Sequence, residues 1–184
     1  MGRLIVAGTI PIVIVGGLFG DVIEARIRTP LIVAINLVIG AVGLLWVERI
    51  GRQERDPRTL GYGEAVAIGI AQAAALAPGL SRSGATLTVS MYLGLKRDAS
   101  ARFVFLMSLP AVFAVAVKEV IDLSEIGLAG IPVTLLLVGL VVSAIVGYVT
   151  VKYFVRYLAG HSLNVFAYYR FALAAVTLLW LATR

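Results

Sequence analysis

Five stretches of this chain, residues 4–20, 31–47, 103–120, 131–154 and 163–182, are apolar almost throughout, and most of the charge sits in the gaps between them. About 17–25 such residues, wound as a helix, cover the hydrocarbon of a bilayer. The chain is 60% hydrophobic with a mean hydropathy of +0.99. A soluble domain is roughly 45–50% apolar, so the expectation is an all-α polytopic membrane protein, with residues 1–184 as a single membrane domain. Between the spans, 21–30, 48–59, 96–102 and 118–130 read as loops. Met1-Gly2-Arg3 leads straight into an apolar segment with Pro11 and a Gly16-Gly17 pair and no small-residue cleavage site. That is a retained helix rather than a signal peptide.

The net charge is +6. The basic residues occupy short gaps and form no stripe with interleaved aromatics, so they argue for membrane orientation and against nucleic acid. There are no cysteines, and the lone His161 has no partner spacing, so neither suggests a metal or nucleophile constellation.

The exception to the pattern is residues 62–95. Pro78-Gly79 cuts this stretch into two pieces of about 14 and 12 residues, each about 20 Å long as a helix, too short to cross about 30 Å of hydrocarbon. A re-entrant helix pair is expected, dipping in and returning to one side. It also restores the charge bias. Arg3, the arginines of 48–59, Lys96, Arg97, Arg102, Lys152 and Arg156 then share the inner side, while Arg26, Arg28, Lys118 and Arg184 lie opposite.

Pro78-Gly79-Leu80-Ser81-Arg82-Ser83-Gly84-Ala85-Thr86 packs an arginine and three hydroxyls into the middle of this break. A buried arginine costs about 2.5–3.5 kcal/mol on insertion scales, so a ligand that repays it is implied. A guanidinium beside hydroxyls and a helix N-terminus suits a phosphate. Arg82, Ser81 and Thr86 are the candidate catalytic residues, with Ser83, Gly84 and Gly79 shaping the phosphate site and Ser83 as the expected N-cap. Gln72 either faces the same cavity or bonds a neighbouring helix. Arg170 either anchors at the interface or lines that cavity. Glu64 reads as a solvated helix-start acid. Asn36 is placed to bond a neighbouring helix, and Trp46 suits an interface.

The run Gly69-Ile70-Ala71-Gln72-Ala73-Ala74-Ala75-Leu76-Ala77-Pro78-Gly79-Leu80-Ser81-Arg82-Ser83-Gly84-Ala85-Thr86 resembles the bacitracin-resistance family of undecaprenyl-pyrophosphate phosphatases. So do the segments from Ala101 to Pro110 and Phe166-Ala167-Tyr168-Tyr169-Arg170-Phe171. The resemblance implies hydrolysis of the C55 lipid pyrophosphate to the monophosphate, recycling a carrier for cell-wall synthesis at the plasma membrane. It implies an inverted-repeat fold, each half a re-entrant pair followed by three spans, of which this chain holds the second half. It puts the phosphate-gripping arginine on Arg82 and its hydroxyls on Ser81, Ser83 and Thr86. It also implies a divalent cation, magnesium or calcium, whose ligands lie in a Glu-x-x-x-Glu segment before Pro-x-Ser-Ser-Thr-Gly-His. That motif is absent here. Met1 directly before a helix fits a truncated product or an internal start, so a missing N-terminal segment or a homodimer is the expected complement. A polyprenyl-phosphate transporter is the alternative from another class, and binding without hydrolysis would mark it.

Overall fold

The computed structural model describes residues 1–26, 29–126 and 132–183. Within them the chain is helical, with short caps and turns between seven α-helices: α1 Gly2–Arg26, α2 Pro30–Ile50, α3 Tyr62–Ala74, α4 Arg82–Tyr92, α5 Arg97–Ile126, α6 Val133–Leu158 and α7 Asn164–Ala182. Five of them, α1, α2, α5, α6 and α7, are long and apolar enough to cross a membrane. The chain is a multi-pass membrane protein.

The helices overrun the apolar windows at several ends, and this corrects the expected loops. Residues 21–26 continue α1, and 118–126 continue α5. Residues 27–28 and 127–130 of the expected loops, and residue 131 of the expected span 131–154, lie outside the described residues. The expected loop 96–102 is the first turn of α5, which starts at Arg97 with Asp98 in its first turn. Glu48 belongs to α2 rather than to the loop after it. Hydropathy marks where hydrocarbon ends, whereas backbone bonding continues into water at no cost, so charged helix ends escape a window argument. Pro11 and Pro110 both sit inside helices. Thr29 caps α2 by accepting from the Ile32 N–H, with Pro30 pre-set for the first helical turn.

The core gathers around α3, α4 and α5. Ile68, Leu87, Met91, Phe103 and Met107 are buried there, with Leu158 and Leu163 from the α6–α7 junction. Helix α3 packs against α1, and α2 packs against α7 and α4. The α1–α3 approach needs glycine. A Cβ on Gly69 would strike the backbone of Gly8, so two backbones meet where side chains would hold them apart. Thr9 ties α1 to α5 by donating to the Met107 carbonyl. By contrast α6 packs on α5 and, near its C-terminal end, sets Phe154 and Tyr157 edge-on to Phe166 of α7, and it leaves nearly all its apolar surface outward.

Helices α3 and α4 have 13 and 11 residues. They pack against each other, and their outer ends meet at one arginine. Arg55 pairs with Glu64 at the start of α3 through two bonds of 2.7 and 3.0 Å, and donates to the Leu93 carbonyl at the end of α4. The backbone of Glu54, Arg55 and Lys96 closes the same junction through Gly94 and Arg55. The α3–α4 hairpin therefore begins and ends at the same level of the molecule. Glu64 is the helix-start acid expected, part-exposed in the first turn of α3, but it is also engaged. It accepts from Arg55 and from the Gly61 N–H, and these bonds hold its carboxyl below the usual carboxylate range.

Candidate functional site

The turn between α3 and α4 is built from residues that cannot continue a helix. After Ala74, single-turn bonds from Leu76 to Ala73 and from Ala77 to Ala74 wind the chain down. Pro78 has no N–H to offer. Gly79 takes φ +90°, and a Cβ there would run into the backbone of Val33, so only glycine fits both the angle and the space. Ser81 also has positive φ, 68° with ψ 113°. This is a sparsely populated conformation of the kind that persists only when its surroundings hold it.

Ser81, not Ser83, is the N-cap of α4. Its Oγ accepts from the Gly84 N–H at 3.2 Å and its carbonyl from Ala85, so the helix starts at Arg82. The expectation for Ser83 was off by two residues because the strained angle of Ser81 brings the helix start closer to the break. The N–H groups of Arg82 and Ser83 are left without helical partners, at the positive end of the helix dipole. Thr86 is buried, and its hydroxyl donates back to the Arg82 and Ser83 carbonyls. Its proton is committed to the helix, which leaves its oxygen as an acceptor.

Two side chains pin this tip to the spans. Asn36 of α2 donates to the Pro78 carbonyl at 2.8 Å, so its partner is the turn between α3 and α4 rather than a neighbouring helix as expected. Arg170 of α7 is only 7% exposed. Its Nη2 donates to the carbonyls of Gly79, Leu80 and Asn36, and its Nε to that of Leu37. Arg170 also borders the larger of two cavities beside α4. Gly40 of α2 makes the room, since a Cβ there would collide with the guanidinium. All four acceptors are neutral, and no acid pairs with Arg170 among the described residues.

Two cavities open beside α4. The larger, about 600 Å³, is walled mainly by apolar side chains of α2, α4, α5, α6 and α7, including Leu44, Leu87 and Phe154. Ser81, Ser83, Gly84, Gly79 and Arg170 form its polar end. The smaller, about 160 Å³, is walled by Gln72, Arg82, Ser83, Thr86, Val104, Phe105 and Ser108. Ser83 and Phe105 belong to both. Arg82, Ser81, Thr86, Ser83, Gly84, Gly79, Gln72 and Arg170 therefore each border one cavity or the other, and Ser83 borders both. Arg82 is exposed at the edge of the smaller cavity and has no ion pair among the described residues. Gln72 is fully buried there, and neither atom of its amide has a hydrogen-bond partner.

These walls do not suit a divalent cation. Magnesium and calcium take carboxylate and other oxygen ligands, whereas the smaller cavity offers an amide, hydroxyls and a guanidinium that would repel the ion. Among the described residues no group of three or more His, Cys, Asp or Glu lies close enough to hold one.

Sequence reasoning missed Glu48 and Arg97. Glu48 is almost buried and pairs with Arg97 through both oxygens, at 2.6 and 2.9 Å. It also accepts from the Leu163 N–H at the start of α7 at 2.7 Å. The partners are 49 and 115 residues away, so no local spacing signals them. Ser108, in Met107-Ser108-Leu109-Pro110, was equally unmarked. A hydroxyl two residues before a proline inside an apolar run is the only hint available.

The family model for bacitracin resistance protein BacA matches residues 1–176. A protein of Rubrobacter xylanophilus named undecaprenyl-diphosphatase is 42% identical over 96% of this chain and 65% of its own length. The proteins of that name from Paenarthrobacter aurescens and Mycobacterium ulcerans are 40% and 38% identical, over 94% and 100% of this chain and 63% and 67% of theirs. The chain thus spans about two thirds of the length of these relatives.

Proposed function

The chain belongs to the bacitracin resistance protein BacA family, and from that premise we propose that it is an undecaprenyl-diphosphatase of the bacterial cell membrane. The substrate is undecaprenyl pyrophosphate. A nucleophile, water or the Ser81 hydroxyl, attacks the terminal phosphorus and the bridging P–O bond breaks. The lipid monophosphate leaves, and the transferred phosphoryl group ends as inorganic phosphate. The relatives' name, undecaprenyl-diphosphatase, supports this reading. The observation that carries it is the pair of cavities meeting at Ser83 and Phe105. One is apolar and sized for a segment of lipid tail, and the other is polar and sized for a phosphoryl group.

In this reading the α3–α4 hairpin is re-entrant. Its helices are about 20 and 17 Å long, short of a crossing, and Arg55 holds both outer ends at one level. The hairpin followed by α5, α6 and α7 is one repeat of an inverted-repeat architecture. Arg82 grips the phosphoryl oxygens as a fork. The N–H groups of Arg82 and Ser83 add the field of the helix end where negative charge grows in the transition state. Thr86 is a wall rather than a nucleophile, because its proton is bonded to the helix. No carboxylate or histidine lines the described walls, so they bind and stabilise charge without a general base, and turnover by this chain alone is slow.

The test is phosphate release from undecaprenyl pyrophosphate by the purified chain in detergent, beside the Arg82→Ala variant. Slow release that disappears in the variant supports the proposal. If wild type and variant release phosphate at the same rate, or if neither binds the lipid, the assignment is wrong.

A further inference from the structure

The smaller cavity contains a polar group that the fold leaves unused. Gln72 is 0% exposed, and both its Nε2 and its Oε1 lack partners. A buried amide with no partner opposes folding, because both its groups give up water for nothing. An alanine-rich helix needs no such residue, and its neighbours Ala71, Ala73 and Ala74 carry no polar side chain. The cavity that Gln72 borders has roughly ten times the ~10–15 Å³ that a single ordered water requires, so there is room for a polyatomic ligand beside this residue.

The other walls limit what that ligand is. Arg82 brings only donors. The Thr86 and Ser108 hydroxyls spend their protons on the Arg82, Ser83 and Phe105 carbonyls, so into the cavity they present acceptor oxygens. Gln72 adds one donor group and one acceptor side by side. An anion that only accepts would satisfy Arg82 and Nε2 but leave Oε1 and the two hydroxyl oxygens facing its negative oxygens. An anion that also carries an O–H satisfies both kinds of wall.

We propose that Gln72 makes the smaller cavity a site for a protonated phosphoryl group, its Nε2 donating to a P–O⁻ oxygen and its Oε1 accepting from a P–OH. The proposal rests on the phosphatase reading and deepens it. The phosphoryl group comes either from the end of the lipid pyrophosphate or from free orthophosphate, and both carry the same chemistry. Sulfate, of similar shape and with no proton near neutral pH, is the anion the site rejects.

The experiment uses the purified full chain in detergent micelles, with inorganic phosphate followed by ³¹P NMR line broadening and sulfate added as competitor. Saturable phosphate binding is expected, with sulfate at least ten-fold weaker. Gln72→Leu is expected to bind phosphate at least ten-fold more weakly while keeping or raising the ligand-free melting temperature, because the amide has no protein partner to lose. Gln72→Glu, which replaces the donor with a charged acceptor, is expected to lose binding as well. Equal affinity for sulfate, or unchanged phosphate binding in Gln72→Leu, overturns the proposal. So does a melting temperature that drops in Gln72→Leu, since that would make the amide a structural group. Farnesyl pyrophosphate separates the two sources. If it displaces phosphate, the site holds the lipid's terminal phosphoryl group; if it binds without displacing phosphate, the site holds free orthophosphate, and both outcomes keep the role of Gln72. Failure to hydrolyse undecaprenyl pyrophosphate, with Gln72-dependent phosphate binding intact, would remove the phosphatase reading and leave the site.

Discussion

Replacing Arg170 with methionine should release the α3–α4 tip while leaving the spans folded. The guanidinium donates to four carbonyls, and two of them, Gly79 and Leu80, belong to the tip. Methionine keeps most of the side chain's apolar bulk, so the loss is mainly of hydrogen bonds. Bonds from a charged donor are worth about 1.5–3 kcal/mol each, so the two tip bonds hold about 3–6 kcal/mol. Removing the guanidinium also removes its own desolvation cost, which returns part of that. A net of about 2–4 kcal/mol favouring the undocked tip corresponds to about a 30- to 1,000-fold rise in local opening. Hydrogen exchange reads this directly, because the Leu80, Gly84 and Ala85 amides are bonded within the tip and the cap of α4. These amides should exchange faster by that factor, while amides in the middle of α2 and α7 change little. Arg170→Lys should resemble the methionine variant, since one ammonium cannot reach carbonyls on both α2 and the tip. Exchange at Leu80, Gly84 and Ala85 within three-fold of wild type would refute the clamp.

Gly79→Ala should destabilise the tip by about 1–3 kcal/mol from its positive φ, and by more from the collision with Val33, measured as a lower melting temperature; an unchanged value would mean the turn has another conformation. Glu48→Ala should cost about 2–4 kcal/mol, at the lower end of buried-pair losses because Arg97 is partly solvated, read by thermal unfolding and by exchange at the Leu163 amide. The Glu64 carboxyl is held low by Arg55 and by the Gly61 N–H, so its contribution is present above the ordinary carboxylate range and lost as pH falls through the lowered folded value. Protease cleavage within residues 51–61 should therefore rise on acidification from about pH 5 to pH 3 in wild type, and the Glu64→Gln variant should be cleaved readily across that whole range.

Much of the fold was legible because a bilayer imposes a simple rule. Apolar runs of sufficient length marked every span, and Pro78-Gly79 marked the break, with errors confined to helix ends where charge and helix coexist. The candidate residues stand out in the sequence for a related reason. Ser81, Arg82, Ser83 and Thr86 are polar residues in a setting that penalises them, so they stand out one by one. Arg170 and Gln72 stood out in the same way, but with two readings each, because cost alone does not say which partner a polar group meets.

What the residues settled alone was the choice of state: helices across a membrane, one interruption, and a cationic, hydroxyl-rich turn at it. Local preference and the price of polarity in hydrocarbon act within a few neighbours, so they can be read from neighbours. Packing alone decided the rest. It moved the α4 cap to Ser81, set Arg170 on the tip's carbonyls, joined Glu48 to Arg97 and Leu163, and turned the amide of Gln72 into a cavity beside Arg82. Each of those contacts depends on how distant helices are placed against one another, and three-dimensional distance leaves no mark on local spacing.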